Sequence, residues 1–138
     1  MSEKFLIRID RPVQAAGYEI ASSDETERLF LQIAKGQGLL VEEAGVIQIK
    51  REKRGKGDKR TTVPDFLVKE NASDEGIYVE VTESNAHSGN KGAQRRVMTE
   101  AGLASRYVQL TGTELESVRK KGEGLMRYIK IKIENRDS

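Results

Sequence analysis

Two short runs of β-favouring residues, Thr62 to Val68 (TVPDFLV) and Ile77 to Thr82 (IYVEVT), are separated by the polar stretch Asn71-Ala72-Ser73-Asp74-Glu75-Gly76. Apolar runs of this length bounded by turn residues read as strands, and the short polar link makes them an antiparallel hairpin. Period-two alternation in the second run puts Ile77, Val79 and Val81 on one face and Tyr78, Glu80 and Thr82 on the other. In the first run an acid, Asp65, stands among Val63, Pro64, Phe66, Leu67 and Val68. A carboxylate in such company is costly to bury unless something satisfies it. The hairpin therefore constrains the fold and also marks where unusual chemistry must be accommodated.

The other elements arrange themselves around this hairpin. FLIRI at 5–9 reads as a first strand or an extended arm. Ser22-Ser23-Asp24-Glu25 is a capping box opening a helix whose apolar face is Leu29, Phe30, Ile33 and Ala34, closed by Gly36 and Gly38. Leu39 to Lys50 has apolar clusters on either side of Gly45 and reads as extended, with a hairpin as one arrangement. Ser88 to Leu103 reads as a helix, with Ala93, Val97 and Ala101 at spacing four and Met98 beside them. Tyr107 to Leu110 is a further strand, and Thr113-Glu114-Leu115-Glu116 a second capping box, with Gly122 and Gly124 ending its helix. In Arg127 to Glu134 the residues Ile129, Ile131 and Ile133 alternate with lysines, the pattern of a half-buried strand. This order predicts one α/β (α+β) domain over residues 1–138, a mixed central sheet flanked by helices.

With no cysteine and the single histidine His87 in 138 residues, the sequence excludes disulfide scaffolds, the usual zinc fingers, iron–sulfur clusters, cysteine nucleophiles and multi-histidine metal sites. No apolar run reaches the roughly 18 residues of a membrane span, and MSEKFLIRID lacks the apolar segment of a signal peptide, so a cytoplasmic protein without a membrane partner is expected. Chemistry must rest on carboxylates, lysines, amides and hydroxyls.

The formal net charge is only +2, but it is unevenly placed. Segment 50–60, KREKRGKGDKR, sets seven basic residues (Lys50, Arg51, Lys53, Arg54, Lys56, Lys59, Arg60) against Glu52 and Asp58, a local +5, which leaves −3 on the remaining 127 residues. Such a glycine-punctuated basic segment suits either phosphate binding or a solvated hairpin tip.

Acids on adjacent antiparallel strands can approach within a few Å of each other, and carboxylates held together favour a divalent cation. Pro64-Asp65, a turn, and Glu80-Val81-Thr82 together resemble the signature of the PD-(D/E)XK nuclease superfamily, with its restriction-endonuclease-like fold. The similarity extends over about residues 22–112: the helix with Glu25, the hairpin, the helix with Lys91 and Gln94, and the strand at Tyr107 to Leu110. The resemblance implies a magnesium- or manganese-dependent endonuclease acting on nucleic acid, DNA foremost. Asp65, Glu80 and the Val81 carbonyl would be the metal ligands, and Glu25 would act on the metal through water. The basic segment, together with Arg95, would hold the nucleic-acid backbone. Small nucleases of that fold commonly act as dimers, so a homodimer is a further expectation, with Arg127–Glu134 as its interface.

One position departs from the pattern. The superfamily's lysine stands two residues after the second acid, where this chain has Thr82. The next helix then offers Lys91 as a substitute, with Gln94 one turn on as a group for the active site or the nucleic-acid backbone; Lys69 is a further candidate. Plainer readings stand beside each assignment. Glu25 can close a capping box on Ser22, Asp65 can be a turn acid, Glu80 can pair across the sheet, and His87 can be a loop residue. Two other functions remain open: an inactive nuclease-fold module that binds nucleic acid or a protein partner, and a ribonuclease-H-like sheet using Asp10.

Overall fold

The structure, a computed structural model, describes residues 4–10, 25–53, 56–82 and 89–137. In chain order they form β1 (Lys4–Asp10), α1 (Glu25–Gly36), β2 (Leu40–Glu43), β3 (Val46–Lys53), β4 (Lys56–Thr62), β5 (Phe66–Lys69), β6 (Ile77–Thr82), α2 (Gly89–Glu100), a 3₁₀ turn (Ala104–Arg106), β7 (Tyr107–Thr111), α3 (Gly112–Lys121) and α4 (Leu125–Asp137). The fold is α+β. Its main sheet has the order β2-β5-β6-β7, with the first three strands antiparallel and β7 parallel to β6. Parallel neighbours need a crossover, and α2 supplies it.

The hairpin is present as β5 and β6, with Phe66 opposite Val79 and Val68 opposite Ile77. Its turn is held by Asp74, whose Oδ2 accepts from the Glu70 N–H at 3.1 Å. Gly76 sits at φ 86°, and a Cβ there would lie 2.8 Å from the Val68 carbonyl oxygen, so this position requires glycine. Arg106 pins the same turn by donating to the Gly76 and Glu75 carbonyls at 2.9 and 2.7 Å.

Both faces of the main sheet are covered, which explains why its strands read as near-continuous apolar runs. Ile77, Val79 and Val81 pack under α1, α3 and α4, where Phe30 stacks on Phe66 with ring centroids 5.2 Å apart. Tyr78, Leu67 and Tyr107 pack under α2, against Val97, Met98 and Ala101, together with Ile47 of β3. The face that would otherwise be a solvated surface for Glu80 is thereby buried.

Several sequence expectations need correction. Thr62 to Val68 is not one strand: Pro64 has no N–H for a ladder, and the chain breaks at Pro64-Asp65, sending β4 and β5 into different sheets. Leu39 to Lys50 is extended but not a hairpin, because β2 joins the main sheet while β3 joins a second sheet ordered β1-β3-β4. β1, carrying Asp10, belongs to that second sheet, so Asp10 is not on the main sheet as a ribonuclease-H-like arrangement would need. The capping box opening α3 is Thr111 with Glu114, two residues earlier than expected. The box at Ser22 lies outside the described residues.

The largest correction is at the C-terminus. Residues 127–134 are helical, not a strand, and offer no strand edge to a second copy. The same isoleucines satisfy a helix, because Leu125, Ile129 and Ile133 recur every four residues and are buried, while Ile131 is 44% exposed. The helix start is capped from far away. Gln37 Oε1 accepts from the Leu125 N–H at 2.7 Å, and its Nε2 donates to the Glu123 carbonyl at 2.8 Å. Among the described residues no helix is long and apolar enough to cross a membrane.

This arrangement separates the isoleucines energetically. Ile129→Ala should cost about 2–4 kcal/mol of unfolding free energy in urea, whereas Ile131→Ala should stay within about 0.5 kcal/mol of the parent. Equal costs would match the alternating strand instead.

Candidate functional site

The sequence-predicted acids stand just before β5 begins and near where β6 ends. Asp65 lies one residue before β5, half-buried, and its Oδ2 accepts from the Val81 N–H at 2.8 Å. The β5–β6 ladder has already stopped at Phe66 and Val79, so the Asp65 carboxylate takes the place of the next ladder bond. In a β-strand a residue's N–H and C=O point to the same side. The Val81 carbonyl therefore faces the same edge as Asp65, while the Val81 side chain is buried in the core under α1, α3 and α4.

Glu80, between Val79 and Val81, is 8% exposed, and its Oε1 is sealed from solvent. It is the buried charged side chain of the described residues and stands on the face covered by α2. Its neighbour on β7 is Gln109. Two carboxylates and a peptide carbonyl are hard oxygen donors suited to Mg²⁺ or Mn²⁺, with water completing the shell. Among the described residues no group of three or more His, Cys, Asp or Glu side chains is arranged to hold a metal. A cation here would rest on two carboxylates plus main-chain and water oxygens, a habit typical of Mg²⁺.

Gln94, on α2, reaches the same face. Its Oε1 accepts from the hydroxyl of the fully buried Tyr107, and that hydroxyl accepts from Gln109 Nε2 at 2.8 Å. Arg95 Nη2 donates to Gln109 Oε1 at 3.2 Å. Tyr107 and Gln109 were not singled out from the sequence. The available signal was the alternation in Tyr107-Val108-Gln109-Leu110, which sets the two polar residues on one face of a strand next to Glu80.

The remaining sequence candidates are less closely tied to this point. Glu25 is the exposed first residue of α1, the helix packed against the opposite face of the sheet. Thr82 ends β6 half-buried. Lys69 pairs with Glu42 of β2 at 2.8 Å, on the far side of β5 from β6. Lys91 is in the first turn of α2, and its side chain lies outside the described part. The basic segment forms the β3–β4 ribbon, with Lys50 opposite Lys59, Arg51 opposite Asp58 and Lys53 opposite Lys56. The side chains of Lys50, Arg51, Lys53, Lys56, Lys59 and Arg60 are likewise outside it, as are Arg54 and His87 entirely. The ribbon packs against α2, the helix that carries Gln94 and Arg95.

A hollow of about 410 Å³ opens at the other end of β6, lined by Asp74, Gly76, Ile77, Arg106 and Lys130 among others. Its charged groups serve the turn: Arg106 and Asp74 hold the backbone, and Lys130 pairs with Glu70. A second polar cluster ties α3, α4 and β7 together. Lys132 Nζ donates to both Glu114 oxygens at 2.7 Å and to the Gln109 carbonyl at 2.6 Å, and the Tyr128 hydroxyl donates to Glu114. Burial pushes the Glu114 carboxyl up, but hydrogen bonds from Lys132, Tyr128 and Thr111 outweigh it and hold the carboxyl below the ordinary glutamate range. Burial and then Glu114 push the Tyr128 hydroxyl well above the usual tyrosine value.

No family model, curated protein or solved structure matches the chain significantly.

Two outcomes follow from this geometry. Asp65→Ala should cost about 1–3 kcal/mol in urea unfolding without divalent metal, because the Val81 N–H loses its acceptor, whereas Asp65→Asn should lose less than half of that. Equal losses would mean that the bond to Val81 is immaterial. Because Glu114 has a lowered pKa in the folded state, its contribution to stability is present above its unfolded value and is lost as pH falls through the folded one. Lys132→Met should therefore flatten the acid limb of the stability curve, below the ordinary glutamate range, as measured by urea unfolding at a series of acidic pH values.

Proposed function

We propose that this protein is a metal-dependent nuclease with a restriction-endonuclease-like core, hydrolysing phosphodiester bonds in DNA. The observation that carries the reading is the Asp65–Val81 bond, which sets one carboxylate at the edge of β6 beside the buried Glu80. The element order supports it as well. Setting aside the inserted β3–β4 ribbon, α1, β2, β5, β6, α2 and β7 run as helix, antiparallel meander, crossover helix and parallel strand, the order expected of that core. Asp65, Glu80 and the Val81 carbonyl would hold Mg²⁺ or Mn²⁺. When bound, the ion would supply a more acidic water and neutralise charge developing on the phosphate.

The chain's own groups do the rest. Asp65 stands at the strand edge with Glu80 on the adjoining buried face, and Gln94 offers an amide toward a phosphate oxygen. Arg95 and the basic ribbon attract the backbone through its charge, a salt-dependent contribution. Glu25 and Lys91 remain candidates for contacts to the metal water and the phosphate. In the reaction the oxygen of water forms a bond to phosphorus as one ester P–O bond breaks, and the proton passes to the departing alkoxide. Cytoplasmic placement and a homodimer are part of the same proposal, although a dimer would need an interface other than a C-terminal strand.

The alternative, a nuclease-fold module that binds without cutting, draws on Thr82 at the position of the usual lysine. One experiment separates the two readings. Supercoiled plasmid and branched DNA are incubated with the protein in Mg²⁺, Mn²⁺ or EDTA, beside Asp65→Asn and Glu80→Gln. The nuclease reading expects nicking that needs metal and falls on the order of 100-fold or more in either variant, with DNA binding retained. Binding with no nicking in any metal supports the non-catalytic module. Nicking that persists equally in EDTA or in both variants would sink the metal site.

A further inference from the structure

We propose that Tyr107 is a positioning residue, which, with Gln109 and Arg95, fixes Gln94 as a hydrogen-bond donor toward a phosphate oxygen of bound nucleic acid. The inference rests on the nucleic-acid reading above and deepens it. Its basis is the direction of a hydrogen-bond chain. An arginine guanidinium can only donate, so Arg95 Nη2, 3.2 Å from Gln109, requires the amide oxygen of Gln109 on its side. That turns Gln109 Nε2 toward Tyr107, where it donates to the hydroxyl at 2.8 Å. The Tyr107 proton is then directed to Gln94 Oε1. With its oxygen turned toward Tyr107, Gln94 directs the two N–H bonds of Nε2 the other way, and no described residue accepts from them.

A donor fixed in this way selects for acceptors. It suits the non-bridging oxygens of a phosphodiester, which accept and cannot donate, and it stands on the sheet face shared by Glu80 and its β7 neighbour Gln109. Neighbouring strands are about 4.8 Å apart, so the chain runs alongside Glu80, while Asp65 and the Val81 carbonyl lie on the β5 side of β6. Satisfying the buried Tyr107 hydroxyl would take a single partner. The chain supplies two amides and a cation, and their common effect is to set the rotamer and flip of Gln94. An amide free to flip would offer its oxygen half of the time and repel the same ligand.

The test is a double-mutant cycle read on affinity for a short DNA duplex in EDTA, with metal-dependent nicking measured separately. Gln94→Ala should weaken binding about 5- to 20-fold, and Gln94→Glu, which replaces a donor by an acceptor, should weaken it further. Tyr107→Phe should weaken binding about 3- to 10-fold in the parent and cause no further loss in Gln94→Ala, because it acts through Gln94. Additive losses, or a Tyr107→Phe protein of lower stability with unchanged affinity, would make the hydroxyl merely structural and overturn the inference. Coupled losses of affinity in a protein that never nicks DNA uphold the inference while the nuclease reading falls. Metal-dependent nicking with affinity and rate unmoved by all these variants overturns the inference and leaves the nuclease reading intact. A protein that neither binds nor nicks DNA overturns both.

Discussion

β6 is bonded on both edges and covered on both faces. β5 and β7 flank it, the core beneath α1, α3 and α4 takes Ile77, Val79 and Val81, and α2 covers Tyr78 and Glu80. A strand so enclosed would ordinarily be wholly apolar. Placing a carboxylate on it is tolerable only where charge or hydrogen bonding is supplied nearby, and several polar groups stand on that side. Gln109 stands beside Glu80, Tyr107 and Gln94 extend the polar row under α2, and Asp65 arrives at the open edge through its bond to Val81.

The two ends of β6 do different work. At its start, Asp74, Arg106 and Gly76 commit their polar groups to holding a tight turn. At its end, the ladder with β5 stops two residues short of Val81, and a side chain replaces the missing strand. That substitution leaves carboxylate and carbonyl oxygens at this edge in place of a finished ladder. The cluster of Glu114, Tyr128 and Lys132 braces β7 from behind, since Lys132 also holds the carbonyl of Gln109. The register of Gln109 against Glu80 is thus tied to the packing of the last two helices.

Much of this was legible in the chain. The alternation in Ile77 to Thr82 assigned Tyr78 and Glu80 to one face, and the spacing of Val97, Met98 and Ala101 defined the buried side of α2. Asp65 and Glu80 stood out as acids in apolar runs; the first bonds the Val81 N–H and the second is buried on the face covered by α2. Arg95 and Gln94 were marked for their place on the following helix, but the hydroxyl and amide that hold them were not. Tyr107 and Gln109 look like ordinary strand residues until parallel pairing with β6 sets them beside Glu80. That pairing joins segments separated by a helix, and no local pattern encodes it.

The sequence by itself determined the β5–β6 hairpin, the faces of α1 and α2, the glycine turn and the two acids, because each depends on side chains within a few residues of one another. Tertiary structure alone decided the rest. Ile129 and Ile133 fit both a period of two and a spacing of four, and the helix buries them with Leu125 in the core while leaving Ile131 exposed; Gln37, some 88 positions away, caps its start. In the same way, TVPDFLV is apolar enough for one strand, yet Pro64 withholds a ladder N–H and Asp65 answers Val81, so the run divides between two sheets. Local periodicity can state which faces must be buried. Which partner buries them, and which orphaned backbone group a distant side chain must satisfy, is settled only when the elements meet.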